Sequence, residues 1–199
     1  IIYIHNIFIK NRKFEKYNYL LSNKSLSLGI VGMGRIGKHV ADRANALGFK
    51  IYYYDPYQKY KNYKKEKSLI QLIKKSNILT LHIRYKKKYF EKFNKNFFRK
   101  MKKPSYFINT ARGEFVNEKD LIKCLKEKSL SGAGLDLLQN EHTNKFRKNP
   151  SKNFLYKFNK NNKKLNLFVT PKQGGSNKSA WEISERTIIN DLIKYEKKI

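Results

Sequence analysis

Gly32-Met33-Gly34-Arg35-Ile36-Gly37 spaces three glycines as G-x-G-x-x-G. Where such a run joins a strand to a helix, each glycine has a physical task. The first permits the tight turn, the second lets a pyrophosphate approach the main chain, and the third lets helix and strand pack closely. The phosphates then rest at the helix N-terminus, where backbone amides and the helix dipole favour negative charge. The chemistry on offer is the grip of a dinucleotide. Asp55 lies 18 residues beyond Gly37, at the end of the next apolar run. A carboxylate there accepts hydrogen bonds from the adenosine ribose hydroxyls and repels a 2′-phosphate, which favours NAD over NADP.

These residues need a strand before them and a helix after them, and the pattern supplies both. LGIV at 28–31 reads as a buried strand, and Ile36, Val40, Ala44 and Leu47 recur at helical spacing until Gly48. KIYYYD at 50–55 is a second strand. Ser68 and Gln71 form a capping-box pattern that opens a short helix with Leu69, Leu72 and Ile73 facing inward. NILTLHI at 77–83 is a third strand, a helix over 95–102 ends near Pro104, and YFINT at 106–110 is another strand. Asn117 caps a helix through Lys128 with Leu121 and Leu125 on one face. GAGLDLL at 132–138 and NLFVT at 166–170 add two strands, and a last helix begins at Ser179–Glu182 and carries Ile188, Leu192 and Tyr195. Residues 139–165 read as a long polar loop with a small aromatic knot at Phe154–Phe158, unusual inside a compact domain. Strand and helix alternation with continuously apolar strands implies an α/β, Rossmann-type, doubly wound parallel sheet covered on both faces.

Composition narrows the setting. The chain has 199 residues, 40% hydrophobic and 14% aromatic, with 45 Lys+Arg against 15 Asp+Glu for a net charge of +30. That apolar content is too high for a disordered polycation. The basic runs at 59–67, 86–88 and 160–164 are spread along the chain, and Lys, Asn, Ile, Tyr and Phe are abundant together, as an A/T-rich coding sequence would make them. Nucleic acid is therefore not expected as the main partner. A single cysteine, Cys124, and histidines scattered at 5, 39, 82 and 142 exclude a disulfide framework and give no metal-ligand spacing, so a reducing cytoplasm is the expected setting. No apolar run approaches the roughly 20 residues of a membrane helix. The opening IIYIHNIFIK makes a poor signal peptide, and a start at Ile rather than Met points to a fragment or a processed start.

LGIVGMGRIGKHVA (28–41), YYYDP (52–56), NILTLHI (77–83), the stretch 101–138 with its INTARG and GAGLD, and VTPKQGG (169–175) keep a specific order and spacing. In these stretches the sequence resembles the D-isomer-specific 2-hydroxyacid dehydrogenases, which include phosphoglycerate dehydrogenase. The resemblance implies three parts: 1–22 as an interdomain and dimer-contact helical segment, 23–176 as the NAD-binding domain, and 177–199 as a C-terminal helix returning toward a substrate domain that is largely missing. It implies NAD as cofactor, a small 2-oxo or 2-hydroxy acid as substrate, and a homodimer. Arg112 matches the arginine that grips the substrate carboxylate, a role suited to a planar guanidinium fork. Glu141 falls on the acid that orients the proton-transferring group. Thr110, Ala111 and Asp136 fall on positions lining the nicotinamide side, with Gly174 and Gly175 also on the cofactor side. Arg35 and Ile36 match positions that meet the phosphates through their backbone.

Departures from the pattern matter as much. The family has histidine after Thr-Pro where this chain has Lys172, and proline where it has Arg84 and His142. A lysine titrates at about 10.4, so it is charged in all but about one part in 2,500 at pH 7, and using it as a base costs about 4.6 kcal/mol. As a proton donor it is already in the needed form. The expectation is an NAD-dependent oxidoreductase of D-2-hydroxy acids, with Lys172 beside Glu141 and Arg112 as catalytic residues and 2-oxo acid reduction favoured, or the cofactor-binding fragment of one. The alternative is a non-catalytic NAD(H)-binding regulatory module.

Overall fold

The computed structural model describes residues 23–161, 165–175 and 178–196. The segment read above as an interdomain helix, 1–22, lies outside the described residues. Among the described residues, seven strands form one parallel sheet in the order β3-β2-β1-β4-β5-β6-β7. They are β1 Ser27–Val31, β2 Lys50–Tyr54, β3 Lys64–Lys65, β4 Ile78–Leu81, β5 Tyr106–Asn109, β6 Gly132–Leu135 and β7 Leu167–Val169. The helices are α1 Arg35–Ala46, α2 Leu69–Lys75, α3 Lys95–Phe98, α4 Glu118–Lys126, α5 Asn144–Lys148, α6 Phe154–Asn161 and α7 Lys178–Glu196. This is the Rossmann-type doubly wound fold. The chain order reverses between β1 and β4, which creates the crevice where such sheets bind ligands.

Strand periodicity separates two cores. Val31, Leu79, Leu81, Phe107, Leu135 and Leu167 point to the face covered by α2, α3, α4 and α6. Leu28, Ile30, Ile51 and Tyr53 point the other way, against Ala41 and Ala44 of α1. Each large side chain so buried contributes about 1.5–3 kcal/mol. The register aligns Ile30, Thr80, Ile108, Gly134 and Phe168 in one row. Toward the β7 end of that row the α1-side core stops, and Ile108 and Phe168 are 37% and 61% exposed.

Side-chain caps fix the start of three helices. Ser68 accepts from the Gln71 amide at 3.2 Å, Asn94 from Phe97 at 3.3 Å and Asn117 from Asp120 at 3.0 Å, each satisfying a first-turn donor.

Three expectations are corrected, and one strand is added. The apolar face of α1 is Gly37, Ala41 and Ala44, while Ile36 and Leu47 are exposed. Gly37 turns inward because it packs on the Gly32 carbonyl, and that rotates the helix. The stretch read as a long polar loop with an aromatic knot carries two helices among its described residues: Thr143 caps α5 through the Phe146 amide at 3.2 Å, and fully buried Leu155 pins α6 to the core. The helix expected over 95–102 spans only Lys95–Phe98. The two-residue edge strand β3 has no apolar signal and went unanticipated. In α7 the residues Ile188, Leu192 and Tyr195 are exposed. No helix among the described residues is long and apolar enough to cross a membrane.

Candidate functional site

The glycine turn sits at the crevice between β1 and β4. Gly32 adopts φ 90°, in the left-handed region, and a Cβ there would lie 2.5 Å from the His82 carbonyl oxygen. Its amide donates to the Tyr54 carbonyl at 2.9 Å. Gly34 is different: it is exposed, its φ of −73° suits any residue, and no heavy atom lies within 4 Å of a Cβ built on it. It forms the N-cap of α1 without a side-chain cap, and the first turn carries no acid. The helix therefore opens on main-chain amides at a cradle that a side chain would fill, an arrangement suited to phosphate. Arg35 and Ile36 form the rim of that cradle, both exposed.

Asp55 follows β2 immediately. Its Oδ2 accepts from the Met33 amide at 2.7 Å, and its Oδ1 accepts from the amides of Tyr57 at 2.8 Å and Gln58 at 3.0 Å. Burial works to raise its pKa, but these three donors and the Lys65 charge hold the carboxyl below its ordinary value. The acid is thus ionised and fastened to the glycine turn.

At the carboxyl edge of β5 to β7, Asn109 organises the next turn. Its Oδ1 accepts from the Ala111 amide at 3.0 Å and its Nδ2 donates to the Arg112 carbonyl at 2.7 Å. Thr110 and Arg112 are exposed on that turn, and the Arg112 guanidinium donates to the Ala111 carbonyl at 2.7 Å. Behind it, Gly113 packs so closely on the Leu138 carbonyl that a Cβ would collide. Asp136 ends β6 and gathers the final turn. Thr170 Oγ1 donates to its Oδ1 at 2.5 Å, the Gln173 amide to the same oxygen at 2.8 Å, and the Gly174 amide to Oδ2 at 2.8 Å. Burial opposes ionisation here too, but those donors and the Lys172 charge hold Asp136 below its ordinary value. Gly175 is exposed on the same turn.

That turn aims Lys172. Its amide donates to the Asp136 carbonyl at 2.9 Å, its φ is 54°, and its Nζ lies 3.3 Å from Glu141 Oε1. A left-handed backbone at a non-glycine residue is strained, and such strain clusters at functional sites. The other Glu141 oxygen accepts from the Leu138 amide at 3.2 Å. The structure thus brings Lys172 and Glu141 together, with Arg112 on the adjoining turn and the guanidinium outside that pair.

Two residues of the site escaped sequence reasoning. Asn109 lies inside the INTARG stretch, yet nothing in its spacing announces that a fully buried amide holds the Arg112 turn. His82 follows β4, with its ring Nε2 3.0 Å from Thr80 Oγ1. Burial pushes its pKa down to about 4, so the ring is neutral beside the glycine turn.

A family model described as D-isomer specific 2-hydroxyacid dehydrogenase, NAD binding domain, matches residues 2–171. The chain belongs to that family. Glyoxylate reductase of Korarchaeum cryptofilum is 38% identical over 120 residues, 58% of this chain and 36% of that protein. D-3-phosphoglycerate dehydrogenase of Bacillus subtilis is 33% identical over 141 residues, 68% of this chain and 27% of that protein. D-lactate dehydrogenase of Aquifex aeolicus, solved with NAD and lactic acid, superposes with a TM-score of 0.82 at 27% identity, over 99% of this chain and 62% of that chain. This dehydrogenase-family chain spans roughly a third of the length of the first of these relatives.

Proposed function

We propose that this chain is the cofactor-binding part of an NAD-dependent oxidoreductase acting on the CH–OH group of a D-2-hydroxy acid, with 2-oxo acid reduction favoured. The observation that carries the reading is the Lys172–Glu141 pair, held by a strained backbone at the carboxyl edge of a sheet whose reversal point carries an open glycine cradle. Gly32, Gly34 and Gly37, with the amides of Arg35 and Ile36, would hold the diphosphate of NAD, and Asp55 the adenosine ribose. Thr110, Ala111, Asp136, Gly174 and Gly175 would border the nicotinamide. When bound, that cofactor supplies the hydride exchanged with C2 of the substrate.

The chain's own groups do the rest. Arg112 offers a guanidinium fork to the planar carboxylate and carbonyl of a 2-oxo acid. Lys172 gives a proton to the carbonyl oxygen as it becomes an alkoxide, and Glu141 fixes the ammonium group while stabilising its charge. Glyoxylate and lactate, the acids of the relatives' names, belong to this substrate class. The wider setting proposed is a cytoplasmic homodimer acting on a small molecule.

A second reading, an NAD(H)-binding module without chemistry, draws on one observation: the Lys172 side chain is 63% exposed, which leaves its proton chemistry unshielded from water. Loss of NADH absorbance in the presence of a panel of small 2-oxo acids separates the two. Oxo-acid-dependent oxidation supports the dehydrogenase, whereas NADH binding with no turnover of any member of the panel supports the module.

A further inference from the structure

Close to Glu141 lies a set of side chains that the proposed chemistry does not use. Three carboxylates, from three separate segments, converge on the turn that carries it. Glu118, at the start of α4 and 7% exposed, accepts from the Gln139 amide at 2.9 Å. Glu91 accepts from Gln139 Nε2 at 3.0 Å, and the same nitrogen donates to the Val116 carbonyl at 2.7 Å. Glu114 accepts from the Asn140 amide at 3.3 Å, and its Oε1 lies 3.2 Å from His142 Nδ1. Glu91 also takes Asn117 Nδ2 at 2.8 Å. Two residues of this assembly, Glu91 and Asn140, have positive φ of 48° and 60°.

Gathering three acids at one turn costs like-charge repulsion, and the repulsion is endured where the acceptors have a task. Here each of the three meets at least one group of residues 139–142, which bracket Glu141. Resting on the reading of Glu141 as the partner of Lys172, we propose that Glu118 and Gln139 are positioning residues. Glu118 fixes the main chain of Gln139, Gln139 ties that turn to Glu91 and Val116, and the Glu141 carboxylate is thereby delivered to Lys172. Neither residue touches the reacting atoms.

The groups facing Glu118 sharpen the consequence. Burial pushes its pKa up to about 7, opposed by hydrogen bonds from the Gln139 amide and the Asn153 side chain and aided by the charges of Glu114 and Glu91. His142 faces Glu114 in the same assembly, with its Nδ1 3.2 Å from Glu114 Oε1. A carboxylate is the stronger acceptor for an amide, so the hold on Gln139 tightens as Glu118 ionises.

The experiment compares the full chain with Glu118→Ala, Glu118→Gln and Gln139→Ala. It reads hydrogen exchange at the Gln139 amide from pH 5.5 to 8.5, and kcat and KM for NADH oxidation with glyoxylate. Protection of that amide, corrected for intrinsic exchange, is expected to rise through pH 7 in the unaltered chain and to be flat in Glu118→Gln, which keeps an acceptor oxygen. Glu118→Ala and Gln139→Ala are expected to lower kcat at least tenfold with the NADH Kd changed less than twofold, and Glu118→Gln to retain most of kcat. Should either alanine variant fold and keep kcat within twofold, the positioning role is overturned and the dehydrogenase reading stands. NADH binding without turnover by the unaltered chain counts against the dehydrogenase reading of this chain, whereas protection of the Gln139 amide that stays flat through pH 7 in the unaltered chain overturns the positioning role by itself. Gln139→Ala leaves every carboxylate in place, so it decides the matter if Glu118→Ala does not fold.

Discussion

The main-chain amide of Met33 donates to Asp55 Oδ2 at 2.7 Å, so the turn after β1 and the acid after β2 hold each other. The group that would read the ribose is set by the loop that would bind the diphosphate. Recognition of the two halves of one ligand is therefore a single mechanical unit.

Replacing Asp55 tests that unit. Asp55→Asn loses the charge and one of two equivalent acceptors, and is expected to cost about 2 kcal/mol, the usual worth of hydrogen bonds to a charged group. Because the folded pKa is depressed, the stabilisation is fully present above the unfolded value, about 3.9, and is lost as pH falls through the folded one. Urea midpoints between pH 2.5 and 6 should fall at the acid end in the unaltered chain, and less so in the variant. The ratio of NADPH to NADH affinity should rise as well.

Two glycines should behave oppositely. Gly34 has open space around it and an ordinary φ, so Gly34→Val is expected to leave the melting temperature nearly unchanged while weakening NADH binding at least tenfold. Gly37 has the Gly32 carbonyl against it, so Gly37→Ala is expected to destabilise the fold by about 1–3 kcal/mol, the cost of overpacking. Thermal melts with and without NADH distinguish the two effects.

Lys172→Ala should reduce turnover of the best 2-oxo acid by about 10²–10⁴-fold, the range for loss of a positioned proton donor, with the NADH Kd unchanged. Lys172→His should restore part of that loss. It should also allow the reverse oxidation at neutral pH, because imidazole can accept as well as donate a proton there. Unchanged turnover in the alanine variant would remove Lys172 from the chemistry.

A half-buried imidazole and a buried carboxyl give opposite pH dependences. His82 is neutral in the fold down to about pH 4, so between about 4 and 6.5 the unfolded chain binds the extra proton and stability rises with pH. Glu118 keeps its proton up to about pH 7, so between 4.5 and 7 the folded chain binds more protons and stability falls as pH rises. His82→Asn should remove the first slope and Glu118→Gln the second, as read by denaturant midpoints across that window.

The parts of this fold legible in the sequence are those where backbone geometry leaves one residue type a choice. Gly32 needs a positive φ and Gly37 needs the absence of a Cβ, so the turn announced itself, and with it the helix and strand on either side. The strands were legible because a sheet covered on both faces demands unbroken apolar runs such as Leu28–Val31. The face of α1 was misread because Gly37, which carries no hydrophobicity, decides which side packs. Residues 144–161 hid two helices because lysine and asparagine dominate them, and the anchoring burial falls to fully buried Leu155 with Phe146 and Phe158 partly buried against the core. The Gln139 assembly depends on contacts between residues up to 48 positions apart, and no local spacing encodes such contacts.

The central claim is that a dinucleotide's phosphates lie on the amides at the start of α1. Isothermal calorimetry of the folded full chain with NADH tests it most directly. The account predicts a saturable titration to one NADH per chain, tighter than with NADPH and abolished in Gly34→Val. A flat titration from natively folded protein, or equal binding by the valine variant, would contradict it.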